Sequence, residues 1–339
     1  MKKLSFFEKF LFVINTLVAF FFLISLSLPY VKPTLFSYFS IFSLFTPLII
    51  SLNILFMFFW IAKLKKQFML SLIVLLLGND SLKSFVNFSN NSKFIADNEF
   101  SIISYNVRLF NIYNWIKKDN VTTKIKDFLK NKNADIICLQ EYQNVDFKLD
   151  NYLYMYEKLR GDNLKYGQAI FSKYPIINKG SIDFNSPSNN AIFSDIKINN
   201  DTIRIYNIHL ESFSFEKEIE LRELNKNNEK IMNDVSKTFI IQQNQVELIK
   251  KSIKKSPYRV IVSGDFNNTA FSYIYKELSS NLNDSFKEKG NGFGITFNYN
   301  FIPLRIDFIL GDKSFKINYF KTHNINLSDH EPIFSQFTY

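Results

Sequence analysis

A single cysteine, Cys138, stands in 339 residues, which excludes an internal disulfide and a thiolate-ligated metal site. Histidine is nearly as scarce, at three. Acids are almost missing from the first 95 residues. There Glu8 and Asp80 alone face nine lysines and no arginine, so this stretch carries +7 of the formal +10 and the rest only +3. The basic excess therefore borders apolar segments, as in membrane proteins, and the remainder is too nearly neutral to read as a nucleic-acid surface on charge alone. No internal repeat is present, and the abundance of Lys and Asn is compositional.

Charge is absent from Phe10 to Leu28, a run close to the roughly 20 apolar residues that cross a bilayer as helix. The run exceeds the about 7–15 residues of a signal-peptide core and lacks a small-residue cleavage site, despite the Met1-Lys2-Lys3 start. A second uncharged run, Leu35 to Ala62, contains Pro47 and is long enough to cross with tilt or a kink. A third, Phe68 to Leu77, is short, and Asp80 and Lys83 interrupt its continuation; it reads as a further span, with an interfacial helix as the alternative. The expectation is two to three transmembrane helices, at about 10–29, 38–62 and 67–86. Lysines cluster at residues 2–9 and 63–66, with Lys32 alone between the first two runs. The positive-inside rule puts both clusters in the cytoplasm, and three spans would leave everything after about residue 95 outside the cytoplasmic membrane.

The expected organisation is an anchor over 1–95 and a second domain over 96–339, joined by the polar stretch Asn87–Asn98. Strand-like runs are Phe100–Val107, Asp135–Leu139, Ala169–Ser172, Ala191–Ile198, Thr202–Leu210, Arg259–Ser263, Arg305–Leu310, Phe315–Phe320 and Ile333–Phe337. Helical spacing marks Thr122–Lys130 and Phe271–Leu278, and residues 216–255 read as one or two exposed helices. The fold class expected is α/β, with packed sheets covered by helices.

Polar residues recur where the apolar strands end: Asn106 after SIISY, Glu141 after DIICLQ, His209 in IYNIHL, Asp265 and Asn267 in VIVSGDFN, Asp307 in RIDFIL, and Asp329-His330 in SDHEP. Loops at strand ends commonly carry catalytic groups. Taken singly, each is more often a turn, cap or structural residue. Together, and with GQAIFSKYPI between them, the motifs resemble in kind and order those of the endonuclease/exonuclease/phosphatase superfamily over about residues 100–339. With the apolar N-terminus, the chain looks like a membrane-bound bacterial branch of it.

The resemblance implies a DNase I-like sandwich of two mixed sheets flanked by helices, and hydrolysis of phosphoesters with a divalent cation. Glu141 would be the main metal ligand, with Asn106 and Asp329 nearby; oxygen ligands suit Mg²⁺ or Mn²⁺. His330 would activate water, with Asp307 on its other ring nitrogen, although Asp265 remains open as the base. Asp265 and Asn267 would orient the nucleophile and phosphoryl oxygens, with one or two metals. His209 would donate a hydrogen bond or proton to the phosphate, and Arg305 would make either a structural ion pair or a phosphate contact. The implied substrate is a small-molecule or lipid-linked phosphoester. A membrane-tethered extracytoplasmic nuclease is the alternative, and a catalytically inactive binding module would require a lost ligand. Besides the bilayer and the substrate, no protein partner is evident.

Overall fold

The computed structural model describes residues 4–89, 98–143, 147–161, 164–184, 189–213, 228–299 and 302–339. It opens with α1 (Phe6–Ser25), started by a capping box in which Ser5 Oγ accepts from the Glu8 N–H and Glu8 accepts from the Ser5 N–H. A short α2 (Ser37–Ile41) leads through a 3₁₀ turn into α3 (Thr46–Ala62), with Pro47 in its first turn. Phe6–Tyr30 and Ser37–Ala62 are each long and apolar enough to cross a membrane.

The third run departs from a single continuous span. It is broken into α4 (Phe68–Leu77) and α5 (Asn79–Phe85), bent by 85° at Gly78. A Cβ at Gly78 would lie 2.4 Å from the Phe22 ring, so at the break the chain passes too close to α1 for a side chain. Polar groups tie the bundle internally. Asn15 Nδ2 donates to Ser71 Oγ at 2.7 Å, and Trp60 Nε1 donates to Asn15 Oδ1 at 2.9 Å, joining α1, α3 and α4. Lys65 reaches Glu8 at 3.8 Å at one end of the bundle, while Gly78 meets Phe22 and Leu26 at the other. Helix α4 thus carries the chain back toward the end from which α1 leaves.

The rest of the chain begins with β1 (Asn87–Phe88), β2 (Glu99–Asn106), α6 (Val121–Lys132), β3 (Ile136–Gln143), β4 (Tyr154–Arg160), β5 (Tyr166–Ser172), β6 (Ile176–Asp183), β7 (Asn190–Ile198) and β8 (Asp201–His209). There follow α7 (Asn228–Lys254), β9 (Arg259–Asp265), α8 (Tyr273–Ser279), β10 (Leu282–Asp284), α9 (Ser285–Lys289), β11 (Asn291–Gly292), β12 (Phe297–Tyr299), β13 (Ile302–Leu304), β14 (Asp307–Asp312), β15 (Lys316–Thr322) and β16 (Ile333–Thr338). Two six-stranded mixed sheets form, in the orders β15-β16-β2-β3-β5-β4 and β10-β14-β9-β8-β7-β6. Each contains one parallel pair, β2 with β3 and β8 with β9. This is the DNase I-like sandwich that the motifs imply.

Strand alternation explains the packing. Ile102, Cys138 and Ile170 of the first sheet meet Ile205, Ile261 and Ile309 of the second in a shared core. The opposite faces are covered by helices, through Ile125 and Leu129 of α6 on the first sheet and Phe239, Val246 and Ile274 of α7 and α8 on the second. Stretch 216–255 is therefore helical from Asn228 with a buried stripe, and its part over 216–227 lies outside the described residues. Of the strands unseen in sequence, the two long ones, β4 and β6, are partly exposed sheet edges, where no regular apolar alternation is needed. The expected linker starts as strand, because β1 pairs with β11; residues 90–97 are outside the described residues.

The N-terminal helices pack onto this sandwich. The Thr34 N–H donates to Gln243 Oε1 of α7 at 3.0 Å, Lys276 of α8 lies over the Tyr30 ring, and Phe271 joins Phe22, Ile50 and Val74 in one cluster.

Gly264 precedes Asp265 at φ +137°, where a Cβ would meet the Ile208 carbonyl oxygen at 2.0 Å. Gly264→Ala should therefore cost about 1–3 kcal/mol, read as a lower denaturation midpoint, together with loss of activity. An unchanged midpoint would show that the strand can relax around the methyl group.

Candidate active site

The face that builds the inter-sheet core turns polar at one end. Along β8, Ile203 and Ile205 are followed at the same face by Asn207 and His209; along β9, Ile261 is followed by Ser263 and Asp265; along β14, Asp307 precedes Ile309. Register then aligns Asn190, His209, Asp265 and Asp307 in one row across four strands. A polar layer separates this row from the apolar core. In it Gln140 Nε2 donates to Asn207 Oδ1 at 2.6 Å, and Asn207 Nδ2 donates to the carbonyls of Leu139 and Ala169.

Glu141 needs a device, because Gln140 already faces inward and simple alternation would turn Glu141 out. The strand breaks register between Leu139 and Tyr142, and Glu141 takes φ +47°, which aims its carboxylate at the row. Asn106 Nδ2 bridges Glu141 Oε1 and Asp265 Oδ2 at 3.1 Å each, while its oxygen accepts from the Arg108 N–H. Asp265 lies at the centre. Its Oδ1 accepts from the Asn267 N–H at 2.8 Å, and its Oδ2 faces Nε2 of both His330, at 3.6 Å, and His209, at 3.7 Å. Asn267 holds φ +48° and donates its side-chain amide to the Leu210 carbonyl at 2.9 Å.

His330 Nδ1 is hydrogen-bonded to Asp307 Oδ2 at 2.9 Å. The Phe297 ring packs against the imidazole with centroids 4.8 Å apart. Thr296 Oγ1 accepts from the backbone N–H groups of Ile306 and Asp307, fixing the start of β14. The loop carrying Asp329 and His330 is held by Glu331, whose carboxylate accepts from the Ile325 N–H at 2.7 Å.

Charge in this cluster is far from balanced. Burial raises Glu141 above the ordinary carboxylate range, and Asp329 adds to it. Burial likewise pushes Asp265 up to about 6, with Asp307 contributing and the two histidines opposing. Burial works against a charged His330, yet Asp307 and Asp265 outweigh it and hold the imidazole well above its usual value. Burial lowers His209, leaving it a neutral hydrogen-bonding group.

Eight of the nine expected residues, all but Arg305, gather at this end of the sandwich. Asp329 pairs with Arg108 at 3.2 Å. Arg305 is the exception in role. Its guanidinium is buried against Asp284 Oδ2 at 2.8 Å and the Ser84 carbonyl at 3.2 Å, between the rings of Phe286 and Phe308, so it makes the structural ion pair and not a phosphate contact. Two residues were not anticipated. Arg108 stacks on Trp115 beside Asp329, and its signal was its place two residues after Asn106. Asn190 joins the row opposite His209 with its side-chain nitrogen buried and unpartnered, a placement visible only through strand register.

The donor set fits a hard divalent cation. Asn106 bridges the carboxylates of Glu141 and Asp265, which offer oxygen ligands beside the Asp307–His330 pair; Asp265, Asp307 and His330 atoms lie within 4.8 Å of one another. The donors are oxygens and imidazole without sulfur, and burial, the main cause of the raised Glu141 and Asp265, makes their charge costly without a cation.

A cavity of about 950 Å³ opens over the cluster and is lined there by Glu141, Asp265, Asn267, Asp329 and His330. Over residues 103–330 the sequence matches the model of the endonuclease/exonuclease/phosphatase family. The chain belongs to this family. It is accordingly a hydrolase of phosphoester bonds, from a family that generally uses divalent metals. A domain of unknown function matches residues 8–85. No curated protein matches the sequence.

Among solved structures of the same fold, a mannosyl-6-phosphatase from Bacteroides thetaiotaomicron is 18% identical, over 71% of this chain and 100% of that one, at TM-score 0.55. Truncated TDP2 from Caenorhabditis elegans is 19% identical over 71% and 98%, at 0.51. TDP2 from D. rerio, complexed with a single strand DNA product, is 17% identical over 72% and 100%, at 0.53.

Because Asp265 holds its proton up to about pH 6 and Glu141 is also raised, cation binding must displace protons. Mg²⁺ affinity of this hydrolase should therefore climb as pH rises through about 6, with proton release measurable by calorimetry in buffers of different ionisation enthalpy. Affinity independent of pH between 5 and 7 would remove these carboxylates from the metal site.

Proposed function

We propose that the chain is a membrane-anchored phosphoester hydrolase, residues 1–95 forming the anchor and 96–339 the catalytic domain, in which His330 held by Asp307 activates water. The Nδ1 bond from His330 to Asp307 carries this reading, since it leaves Nε2 facing the reaction cluster. The water oxygen bonds phosphorus as the bond to the leaving oxygen breaks, and Nε2 of His330 takes the water proton; the imidazole would be free to do so once a bound cation offsets the Asp265 and Asp307 charge that otherwise holds its proton. Mg²⁺ or Mn²⁺, bound chiefly by Glu141 with Asn106 and Asp329 nearby, would offset the anionic charge that repels the nucleophile. Asp265 and Asn267 orient the reacting oxygens, and neutral His209 offers an N–H to a phosphoryl oxygen. Arg305 has no phosphate role.

The nuclease reading gains little from the cleft. Among the described residues its lining includes no lysine and one arginine, Arg305, which is already paired.

The reading extends to an extracytoplasmic catalytic domain. The sandwich packs on the Tyr30–Thr34 connection, whereas the lysine cluster at 63–66 sits at the opposite end beside Glu8. With lysines inside, α1 crosses outward and α3 returns, so this topology requires the bent pair α4–α5 to carry the chain out again. Cysteine placed at exposed Lys255 should react with an impermeant maleimide in intact cells, and cysteine at Lys66 only after permeabilisation. The reverse pattern would invert this topology.

His330→Ala should lower turnover at least about 10²-fold, and Asp307→Asn nearly as much by freeing the imidazole to the wrong tautomer. The double variant should be little worse than either alone. Losses that multiply would instead favour Asp265 as the base.

A further inference from the structure

The cavity over the catalytic cluster does not end at the sandwich. Its far wall is built by the N-terminal helices, through Leu44 and Phe45 of the turn before α3, Leu48 and Ser51 of α3, and Phe85 of α5. Phe293 of the catalytic part, its ring 5.2 Å from that of Phe85, completes that side, while Phe297 packs on His330 at the catalytic end. One hollow therefore runs from buried carboxylates and imidazoles to side chains on a helix long and apolar enough to cross a bilayer. The apolar residues at this end are not buried in the protein: Leu48 is 57% exposed, Phe45 52% and Phe293 53%. An apolar patch of this kind, beside helices long and apolar enough to cross a bilayer and continuous with a reaction site, would face hydrocarbon if those helices cross. A free sugar phosphate or a nucleic-acid strand would leave it facing polar groups or water.

Resting on the hydrolase reading above, we propose that the substrate is a membrane amphiphile whose phosphoester sits at His330 and Glu141 while its hydrocarbon chain lies in the groove formed by Leu44, Phe45, Leu48, Phe85 and Phe293. The anchor is then part of the binding site and not only a tether. Phosphorus–oxygen cleavage by water is unchanged; the groove adds selection for what enters it and the direction of entry, from the leaflet beside α3.

The test uses the full-length chain in nanodiscs with Mg²⁺ and p-nitrophenyl alkyl phosphates from methyl to octyl, which share one leaving group. KM should fall with chain length, by up to about fourfold for each methylene that the groove buries, while kcat changes little. Partition into the disc produces a similar trend, so the deciding comparison is with variants in the same discs. Ser51→Trp fills the groove and should halt the trend at a shorter chain, lowering the octyl-to-methyl ratio of kcat/KM at least tenfold. Phe293→Ala, at an exposed position, should lower the same ratio without filling space. Wild type and both variants showing parallel chain-length dependence would overturn the groove assignment while leaving the hydrolase intact. Preference for a DNA oligonucleotide over the octyl ester would overturn it in favour of a nuclease. No hydrolysis of any ester, with Mg²⁺ or Mn²⁺, would bring down the hydrolase reading and this inference with it.

Discussion

Asp265 and Asp307 face each other directly on neighbouring antiparallel strands, both almost fully buried. Like charges at such a position are destabilising in any sheet, and burial compounds the cost. Much of the surrounding architecture offsets this one repulsion. His330 bonds one carboxylate and faces the other; His209, Asn106 and the Asn267 N–H share what is left of Asp265. The left-handed backbone at Glu141 and Asn267 and the glycine before Asp265 are conformations that a stable sheet edge does not need. They make sense only where several acids must be held close together, and the protein leaves their charge partly unanswered until a cation and a phosphate arrive.

Legibility in the sequence followed burial. Strands contributing to the inter-sheet core, such as β2, β8 and β9, announced themselves by apolar runs ending in Asn, His or Asp, because both their faces are covered. The edge strands β4 and β6 carried no such run, since half their surface meets solvent. The polar residues of the site were visible as interruptions of those runs, yet their row alignment was not, because register is set by partners far away in sequence. Glu141 shows the limit well. Its place in LQE marked it, but the bulge that rotates it inward depends on the pairing with β5. Arg305 illustrates the opposite failure, a conspicuous charge beside a catalytic motif whose partner, Asp284, belongs to a three-residue strand that no local pattern revealed.

The N-terminal helices were legible as long and apolar enough to cross a membrane but not as neighbours of the site. Hydropathy records length and composition, and both long helices satisfy it. It is silent on the break at Gly78, where the chain passes close to Phe22, and on the Ser71–Asn15–Trp60 link that ties the three helices together.

Arg305 has one further bearing. It lies two residues before Asp307, and its guanidinium reaches the carbonyl of Ser84 in the last turn of α5. A truncated protein beginning near residue 96 would strand that donor in an apolar pocket, beside an Nε that already has no acceptor. It would also open the cavity on the side where Leu48 and Phe85 now stand. A soluble fragment is thus a different object from the intact enzyme, with its acid pair hung on a loosened strand, and weak turnover by such a fragment would report on the cut before it reported on the substrate.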